Sequence, residues 1–385
     1  MLPEPDTACS ALASVHPCRP WLPTRPTHAS LPPVTQTLII GAGITGAALA
    51  YQLSRRGEAV TIVSTHAEGG LASAASFGWL NASYFLSQPH YALRHEGLSA
   101  HRRLTKALPG LPTTWQGCLW YEATGDAQEE TASDLLALGY KVQRLAKAEV
   151  AKRLPALGPT PETALFFPEE GVADPAILAR ALIEASGAKV IRATVQSVTE
   201  AKGRATGVLT DLGPLTDDRV ILATGTGTPA LLEPLGYSLP MLQRPGLMIA
   251  TNALPPICPV VLATPDQEVR QDAKGHLIAP ASAGHQGDHA ETLGSFPVVV
   301  NATLTRLRTL FPGHEIHFAH QAMALRPVPG DGLPVVGQGP LPGLWIAVMH
   351  SGATLAPVVA ELLAEEITGG PASPLLAPFR PARFQ

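Results

Sequence analysis

The sequence predicts an α/β protein in which a discontinuous Rossmann-type domain is combined with a second, α+β domain built on an antiparallel sheet. Three observations predict it: a strand, glycine turn, helix and strand in succession near residue 40, strand-rich runs between residues 240 and 325, and renewed α/β patterning after residue 340. A chain of 385 residues is also too long for one ordinary core, so two domains fit it better than one.

Composition and charge narrow the class of protein. Apolar residues make up 45% of the chain and charged residues 15%, which is typical of globular domains with large cores. The formal net charge of -4 provides no basic field, so nucleic acid is not expected as a partner. No run reaches the roughly 18 apolar residues that a membrane helix needs, so no transmembrane segment is expected. The 4 cysteines form no CxxC pair, which argues against a zinc site or a disulfide framework and favours a reducing cytoplasm.

The first residues differ in composition from the rest. Many prolines fall before residue 34, and no apolar stretch follows a basic start. This composition is typical of disorder rather than of a signal peptide. We therefore expect 1–34 to be a disordered Pro-rich tail outside the fold.

A glycine turn is the most informative local motif. An apolar strand at Thr37–Ile40 leads into Gly41-Ala42-Gly43-Ile44-Thr45-Gly46, an Ala-rich helix runs to about Arg56, and a second strand spans Ala59–Val63. In this frame a GxGxxG predicts a dinucleotide site, because its glycines allow a tight turn, the approach of a pyrophosphate, and close helix–strand packing. The helix N-terminus then offers free N–H donors to the phosphates.

Ser64 ends the second strand, where an Asp or Glu usually holds the adenosine ribose. Its hydroxyl can still hydrogen-bond the ribose, although a neutral contact is weaker than a charged one. No arginine follows to receive a 2′-phosphate, so NADP is disfavoured.

Periodicity predicts the remaining elements. Helices are expected at Pro175–Ser186 and Thr354–Ile367, the first with Ile177, Leu178, Ala181, Leu182 and Ala185 on one face. Strands are expected at 189–196, 219–223 and 344–348. Short apolar runs at 260–262, 277–279 and 298–300 are predicted to be antiparallel strands of the second domain.

Five separated motifs punctuate the chain. They are LIIGAGITGAALAYQLSRRG at 38–57, GGLASAASFGWLNAS at 69–83, GVADPAILARAL at 171–182, RVILATGTGTPALLEPLG at 219–236, and the pair ALRPVPGDGLPVVG and WIAVMHSGATLAP at 324–337 and 345–357. In this order and spacing they resemble the D-amino acid oxidase-like family of FAD-dependent oxidoreductases, whose members include glycine and sarcosine oxidases and D-amino acid dehydrogenases.

The resemblance implies a cofactor, a reaction and a division of the chain. The cofactor would be FAD. The reaction would be oxidation of the C–N bond of an amino acid or of a primary or secondary amine by hydride transfer to flavin N5. An FAD-binding domain would comprise 35–88, 155–235 and 323–385, and a substrate-binding domain would comprise 89–154 and 236–322.

The turn and the resemblance together predict which residues hold the cofactor. In the family, the loop with Ser73 and Ser76 follows the pyrophosphate, Val195 lies at the adenine, and the segment with Thr224 and Gly225 lies beside the cofactor. A helix N-terminus at 351–354, aimed at the flavin pyrimidine edge, would stabilise the negative charge that reduction places there. The predicted cofactor-binding residues are Gly41, Gly43, Ile44, Thr45, Gly46, Ser64, Ser73, Ser76, Val195, Thr224, Gly225, Ser351, Gly352, Ala353 and Thr354.

Two residues are predicted on the substrate side. Arg326 stands in ALRPVPGDG, where glycine oxidase-like relatives place an arginine that receives the substrate carboxylate. Its guanidinium group can bind a carboxylate through two hydrogen bonds. The alternative is a structural arginine paired with Asp331 or with backbone carbonyls. His350 opens the last helix and would meet the flavin edge or the substrate, with a structural histidine as the alternative.

Other candidate residues can also be explained as structural residues. Trp79, Asn81 and Tyr84 would line the pocket, but aromatic core residues look the same in sequence. His314, His317 and His320 are joined by no carboxylate or cysteine pattern, so no metal site is predicted.

The sequence leaves several points of chemistry open. FAD is expected to be non-covalent, because the covalent cysteine of the family would fall at about Ala324. The electron acceptor is oxygen or another molecule; the stretch 275–279, where oxygen-using relatives carry a lysine, has none and slightly favours a dehydrogenase. A homo-oligomer is compatible with the sequence.

Other functions remain alternatives to this one. They are a flavoprotein subunit of a heteromeric amine or opine dehydrogenase, a flavin-dependent step of tRNA or cofactor biosynthesis on the same fold, and an NAD-dependent Rossmann dehydrogenase.

Overall fold

The computed structural model describes residues 36–282 and 295–385. The predicted tail, 1–34, lies outside the described residues. Within them, no helix is long and apolar enough to cross a membrane.

The strands of the described residues are β1 (Gln36–Ile40), β2 (Ala59–Ser64), β3 (Trp79–Leu80), β4 (Thr113–Thr114), β5 (Cys118–Trp120), β6 (Gln143–Ala146), β7 (Thr163–Phe167), β8 (Gly171–Ala173), β9 (Lys189–Arg192), β10 (Val195–Ala201), β11 (Arg204–Thr210), β12 (Gly213–Thr216), β13 (Arg219–Leu222), β14 (Met241–Ala253), β15 (Val261–Ala263), β16 (Glu268–Gln271), β17 (His276–Pro280), β18 (Phe318–Pro329), β19 (Val335–Gln338) and β20 (Leu344–Val348). The α-helices are α1 (Ile44–Ser54), α2 (Leu71–Ala74), α3 (Gln88–Ala107), α4 (Asp126–Ala137), α5 (Lys147–Arg153), α6 (Pro175–Ser186), α7 (Thr228–Leu232), α8 (Phe296–Leu310) and α9 (Gly352–Ile367).

A six-stranded sheet carries the glycine turn. Its order is β19-β20-β13-β1-β2-β9, with parallel neighbours everywhere except at the antiparallel edge pair β19–β20. Successive side chains of β1 point to opposite faces of this sheet, and both faces are covered by other elements. Ile39 packs into the core that includes α1, α6 and α9, whereas Leu38 and Ile40 pack into the core that includes the antiparallel sheet β10–β12. A Rossmann-type α/β fold is therefore confirmed.

An eight-stranded sheet provides the second framework. Its order is β18-β14-β17-β16-β15-β5-β7-β6, and its strands are antiparallel except for the pair β15–β5. Along β14, Leu247 and Ile249 pack with Leu304 and Leu307 of α8. The alternate residues Gly246 and Met248 lie on the opposite face and line a cavity.

The sheets run through the predicted domain segments. All six strands of the six-stranded sheet lie in the segments predicted for the FAD-binding domain. Strand β7 also lies in one of these segments, but it pairs in the eight-stranded sheet. The division of the chain into two domains stays a proposal.

Three local predictions were wrong. Residues 298–300 lie in α8 rather than in a strand, because Val300, Leu304 and Leu307 recur at helical spacing and pack on the sheet while Val298 is 65% exposed. In α6, the buried row is Leu178, Ala179, Leu182 and Ile183, one position away from the predicted face. Ile177, Ala181 and Ala185 are consequently exposed or half-buried. The predicted strand at 189–196 is two strands, β9 and β10, in different sheets.

Candidate active site

A cavity of about 700 Å³ is lined by both sheets. One part of its wall is the set of loops at the carboxyl ends of β1, β2, β9, β13 and β20, which is where α/β sheets bind their ligands. The other part is the face of the eight-stranded sheet that carries Met248, Ala324 and Arg326. The volume lies in the range of roughly 300–1,000 Å³ found for small-molecule and cofactor sites.

The glycine turn has the geometry that its motif predicts. Gly41 has a φ of 113°, and a Cβ atom there would collide with the carbonyl oxygen of Ala223. A Cβ atom at Gly46 would collide with the carbonyl oxygen of Gly41, so this glycine lets α1 pack closely on the turn. Gly46 accordingly does not line the cavity, whereas Gly41, Gly43, Ile44 and Thr45 do.

Three serines of the predicted cofactor site line the cavity, and the hydroxyl group of each accepts a hydrogen bond from a backbone N–H. Ser73 Oγ accepts a hydrogen bond from the Ile44 N–H at 3.1 Å, and Ser76 Oγ accepts one from the Gly78 N–H at 3.1 Å. Ser64 Oγ accepts one from the His66 N–H at 3.3 Å. A hydroxyl that accepts a hydrogen bond keeps its own proton to donate. Each of the three hydroxyl groups can therefore also donate a hydrogen bond to a ligand.

Most other predicted cofactor residues also line the cavity: Val195, Thr224, Gly225, Ser351, Gly352 and Ala353. Thr354 does not. Its Oγ1 accepts from the Asn81 N–H at 3.4 Å and donates to the Trp79 carbonyl at 3.3 Å. This hydroxyl ties the start of α9 to β3, because it is buried between the two elements.

The start of α9 is held by residues distant in sequence. Ser351, which precedes the helix, has a left-handed backbone with φ 58° and ψ 28°. Its Oγ accepts from Arg94 Nη1 at 2.7 Å and lies 3.1 Å from Nδ1 of His350. Arg94 also donates to Asn81 Oδ1. Arg94, His350 and Asn81 all line the cavity.

Arg326 lies on β18 and lines the cavity. Its aliphatic part passes over Gly246 of β14, where an added Cβ atom would be 3.2 Å from Arg326 Cγ. The carboxylate of Asp331, the partner considered from sequence, accepts from Arg383 Nε at 2.7 Å. Asp331 also accepts from the Leu333 N–H at 3.0 Å and so stabilises the turn around Gly332.

The aromatic candidates differ in placement. Trp79 lines the cavity, and its Nε1 donates to Glu170 at 2.7 Å. Tyr84 does not line the cavity, and its hydroxyl accepts from Trp120 Nε1 at 2.9 Å.

The sequence predictions missed several cavity residues, above all Arg94, but also Gly246, Met248 and Glu268. Arg94 did have a signal. It shares the buried row of α3 with His90, Leu98 and His101, and a charged residue in such a row has a specific structural or binding task.

No group of three or more His, Cys, Asp or Glu side chains within 36–282 and 295–385 could hold a metal ion.

The glycine turn, the three serine donors and the loops at the strand ends define a Rossmann-type dinucleotide-binding protein whose second sheet covers the same cavity. The sequence matches the DAO family, described as FAD dependent oxidoreductase, over residues 36–366, and the chain belongs to this family. It is an FAD-dependent oxidoreductase, and the donors above fit the phosphates and the ribose of FAD.

Proteins of several activities are similar to this chain. Glycine oxidase of Pseudomonas aeruginosa is 28% identical over 90% of this chain and 98% of that protein. D-amino acid dehydrogenase of Rhizobium johnstonii is 26% identical over 87% of this chain and 96% of that protein. The structure of L-amino acid deaminase from Proteus vulgaris, with its specific insertion deleted, has the same fold, with a TM-score of 0.81 at 21% identity over 93% of this chain and 96% of that one.

Proposed function

We propose that this enzyme oxidises the C–N bond of an amino acid, with Arg326 receiving the substrate carboxylate. The observation that carries the proposal is the shared cavity, in which the cofactor turn and a guanidinium from the other sheet line one space. The names of the relatives, glycine oxidase and D-amino acid dehydrogenase, support an amino acid substrate. FAD, when bound, supplies the two-electron acceptor that takes hydride from the substrate.

The side chains of this site bind and orient rather than react. Arg326 fixes the carboxylate through two hydrogen bonds, which sets the direction of the α-carbon. Trp79, Met248 and Pro280 form an apolar wall that excludes water from the reacting carbon. His350, beside Ser351, provides a polar group at the start of α9.

Four finer points are part of the proposal. FAD is held non-covalently, since Cys118 and Cys258 are buried away from the cavity and Ala324 lines it. Two buried free thiols are compatible with a reducing cytoplasm. Among the described residues no lysine lines the cavity, which favours an acceptor other than oxygen. A homo-oligomer remains part of the proposal, without an assigned interface.

The substitution Arg326→Leu tests the assigned carboxylate contact. It should weaken binding of the best amino acid substrate by about 1.5–3 kcal/mol, the range for a hydrogen bond to a charged group. This corresponds to a roughly tenfold to hundredfold rise in the dissociation constant, measured by the concentration dependence of flavin bleaching without oxygen. Arg326→Lys should also be impaired, because one ammonium cannot replace the two-pronged fork.

The controls separate the substrate contact from folding. FAD content should survive in both variants, and an amine without a carboxylate should react equally well before and after the change. A leucine variant that keeps its flavin and binds the amino acid with unchanged affinity would show that Arg326 is structural.

A further inference from the structure

Arg94 is a buried cation without a carboxylate partner among the described residues. Its side chain is almost completely buried, yet it lines the cavity. The two acceptors of its guanidinium, Ser351 Oγ at 2.7 Å and Asn81 Oδ1, are both neutral. Its Nε is buried and has no hydrogen-bond partner. Burying a charge with only neutral partners is costly, so such a residue is retained for a specific interaction.

The charge of Arg94 persists at neutral pH. Burial lowers the pKa of Arg94 to about 10, and the negative charge of Glu170 opposes that decrease. Glu170 balances the charge of Arg94 only in part, because burial raises the pKa of Glu170 to about 7. The guanidinium is therefore protonated at neutral pH, where Glu170 is only partly ionised.

The second observation is the position of this cation beside the N-terminus of α9. The 16-residue helix directs the positive end of its dipole to Ser351, the residue that Arg94 holds in the left-handed region. Two positive features side by side repel each other, and a non-glycine residue with this φ is strained. Both features line the cavity, so a negative charge placed there would offset the repulsion.

We propose that Arg94 holds the start of α9 through Ser351 and provides the positive charge that stabilises the reduced form of the bound cofactor. The proposal rests on the FAD site in this cavity. Reduction by two electrons and one proton adds one negative charge to FAD, and the substrate loses a hydride in the same step. A nearby buried cation favours that product and raises the reduction potential.

The test compares reduction potentials of FAD-loaded variants, measured against a reference dye without substrate. Arg94→Gln removes the charge, whereas Asn81→Asp keeps the guanidinium and neutralises it with a carboxylate. Both should shift the equilibrium towards oxidised FAD at least tenfold, which is about 30 mV more negative for a two-electron couple. Arg94→Lys should keep most of the wild-type potential. Arg103→Gln, on the same helix but in exposed ion pairs with Glu96 and Glu361, should leave the potential unchanged.

The outcomes separate electrostatics from packing and from substrate binding. A wild-type reduction potential in Arg94→Gln or in Asn81→Asp would overturn the proposal. If Arg94→Gln kept that potential but bound amino acids more weakly, Arg94 would serve substrate binding instead. If Arg94→Gln does not retain FAD, Asn81→Asp alone decides. An enzyme that no amino acid reduces would refute the proposed function, but the potentials would still report on Arg94.

Discussion

Glu170 shows how one buried carboxyl group supports a wall of the site. It is 0% exposed and accepts hydrogen bonds from Trp79 Nε1 at 2.7 Å, Ser83 Oγ at 2.6 Å and the Tyr140 hydroxyl at 2.7 Å. Burial raises its pKa to about 7, although these three donors oppose the shift. Because Trp79 lines the cavity, Glu170 fixes a wall residue without reaching the cavity itself.

Glu170→Gln should remove a pH dependence of stability. The pKa of Glu170 rises from 4.5 to about 7 on folding, so the folded state binds more protons between these values. Its contribution is complete below pH 4.5 and is lost as pH rises through about 7. The shift corresponds to about 3 kcal/mol. The difference in unfolding free energy between wild type and variant should therefore fall from pH 4.5 to 7 in denaturant titrations.

Glu162→Gln, which removes a surface carboxylate paired with Lys147, is the control and should show a much smaller change. A difference that stays flat for Glu170→Gln would mean that Glu170 titrates alike in both states.

Single residues were predictable where their task is local. The glycine turn acts within one short stretch of chain, and its motif names Gly41, Gly43 and Gly46 directly. The serines at 73 and 76 were predicted only from the family resemblance. The position of Arg94 in the buried row of α3 was a signal, but its contact with Ser351 could not be predicted, because the two residues are 257 positions apart and meet only once α3 packs on α9.

The seam between α3 and α9 is the element that positions the site. His101 Nε2 lies 2.6 Å from the carbonyl oxygen of Ala353, and a Cβ atom at Gly97 would lie 2.7 Å from that of Thr354. Burial lowers the pKa of His101 to about 4, so at neutral pH its ring is uncharged and donates from Nε2. Helix α3 thus contacts the first turn of α9 through the imidazole ring of His101 and through the backbone at Gly97.

Gly97→Ala should destabilise the protein, although alanine favours an exposed helix by about 1 kcal/mol over glycine. The added methyl group would press on a backbone oxygen, so α3 would move away from α9 and carry Arg94 with it. We expect a lower Tm and weaker FAD retention, measured by thermal unfolding and by flavin content after gel filtration. Ser99→Ala on the same helix is the control. Equal or higher stability of Gly97→Ala would show that the seam is looser than its geometry indicates.

Helices and strands were predicted well where the sequence pattern is typical of only one type of element. The run β1, turn, α1 and β2 combines short apolar strands with glycine punctuation, and the structure has it at nearly the predicted bounds. The run at 298–300 was assigned to a strand because it is one of several short, strand-like apolar runs in this part of the chain. Packing on the eight-stranded sheet selected a helix there, since tertiary contacts outweigh the small propensity differences of single residues.

At the scale of the whole molecule, the proposed function requires one cavity whose wall is formed by both large sheets. In the proposed function, the loops at the strand ends of the six-stranded sheet hold FAD, and the eight-stranded sheet provides Arg326 and an apolar surface. The arrangement brings residues from 40 to 353 around one space. The family resemblance predicted many of them, whereas no motif pointed to Gly246 and Met248 of β14.

The most direct test is to mix the purified, FAD-containing protein without oxygen with D-amino acids, L-amino acids, glycine, N-methyl amino acids and simple amines, and to follow the flavin absorbance. We expect at least one amino acid to bleach the flavin of the wild type, and we expect Arg326→Leu to need a much higher concentration of it. A flavin that dithionite reduces but that no amino acid or amine bleaches would contradict the proposed function.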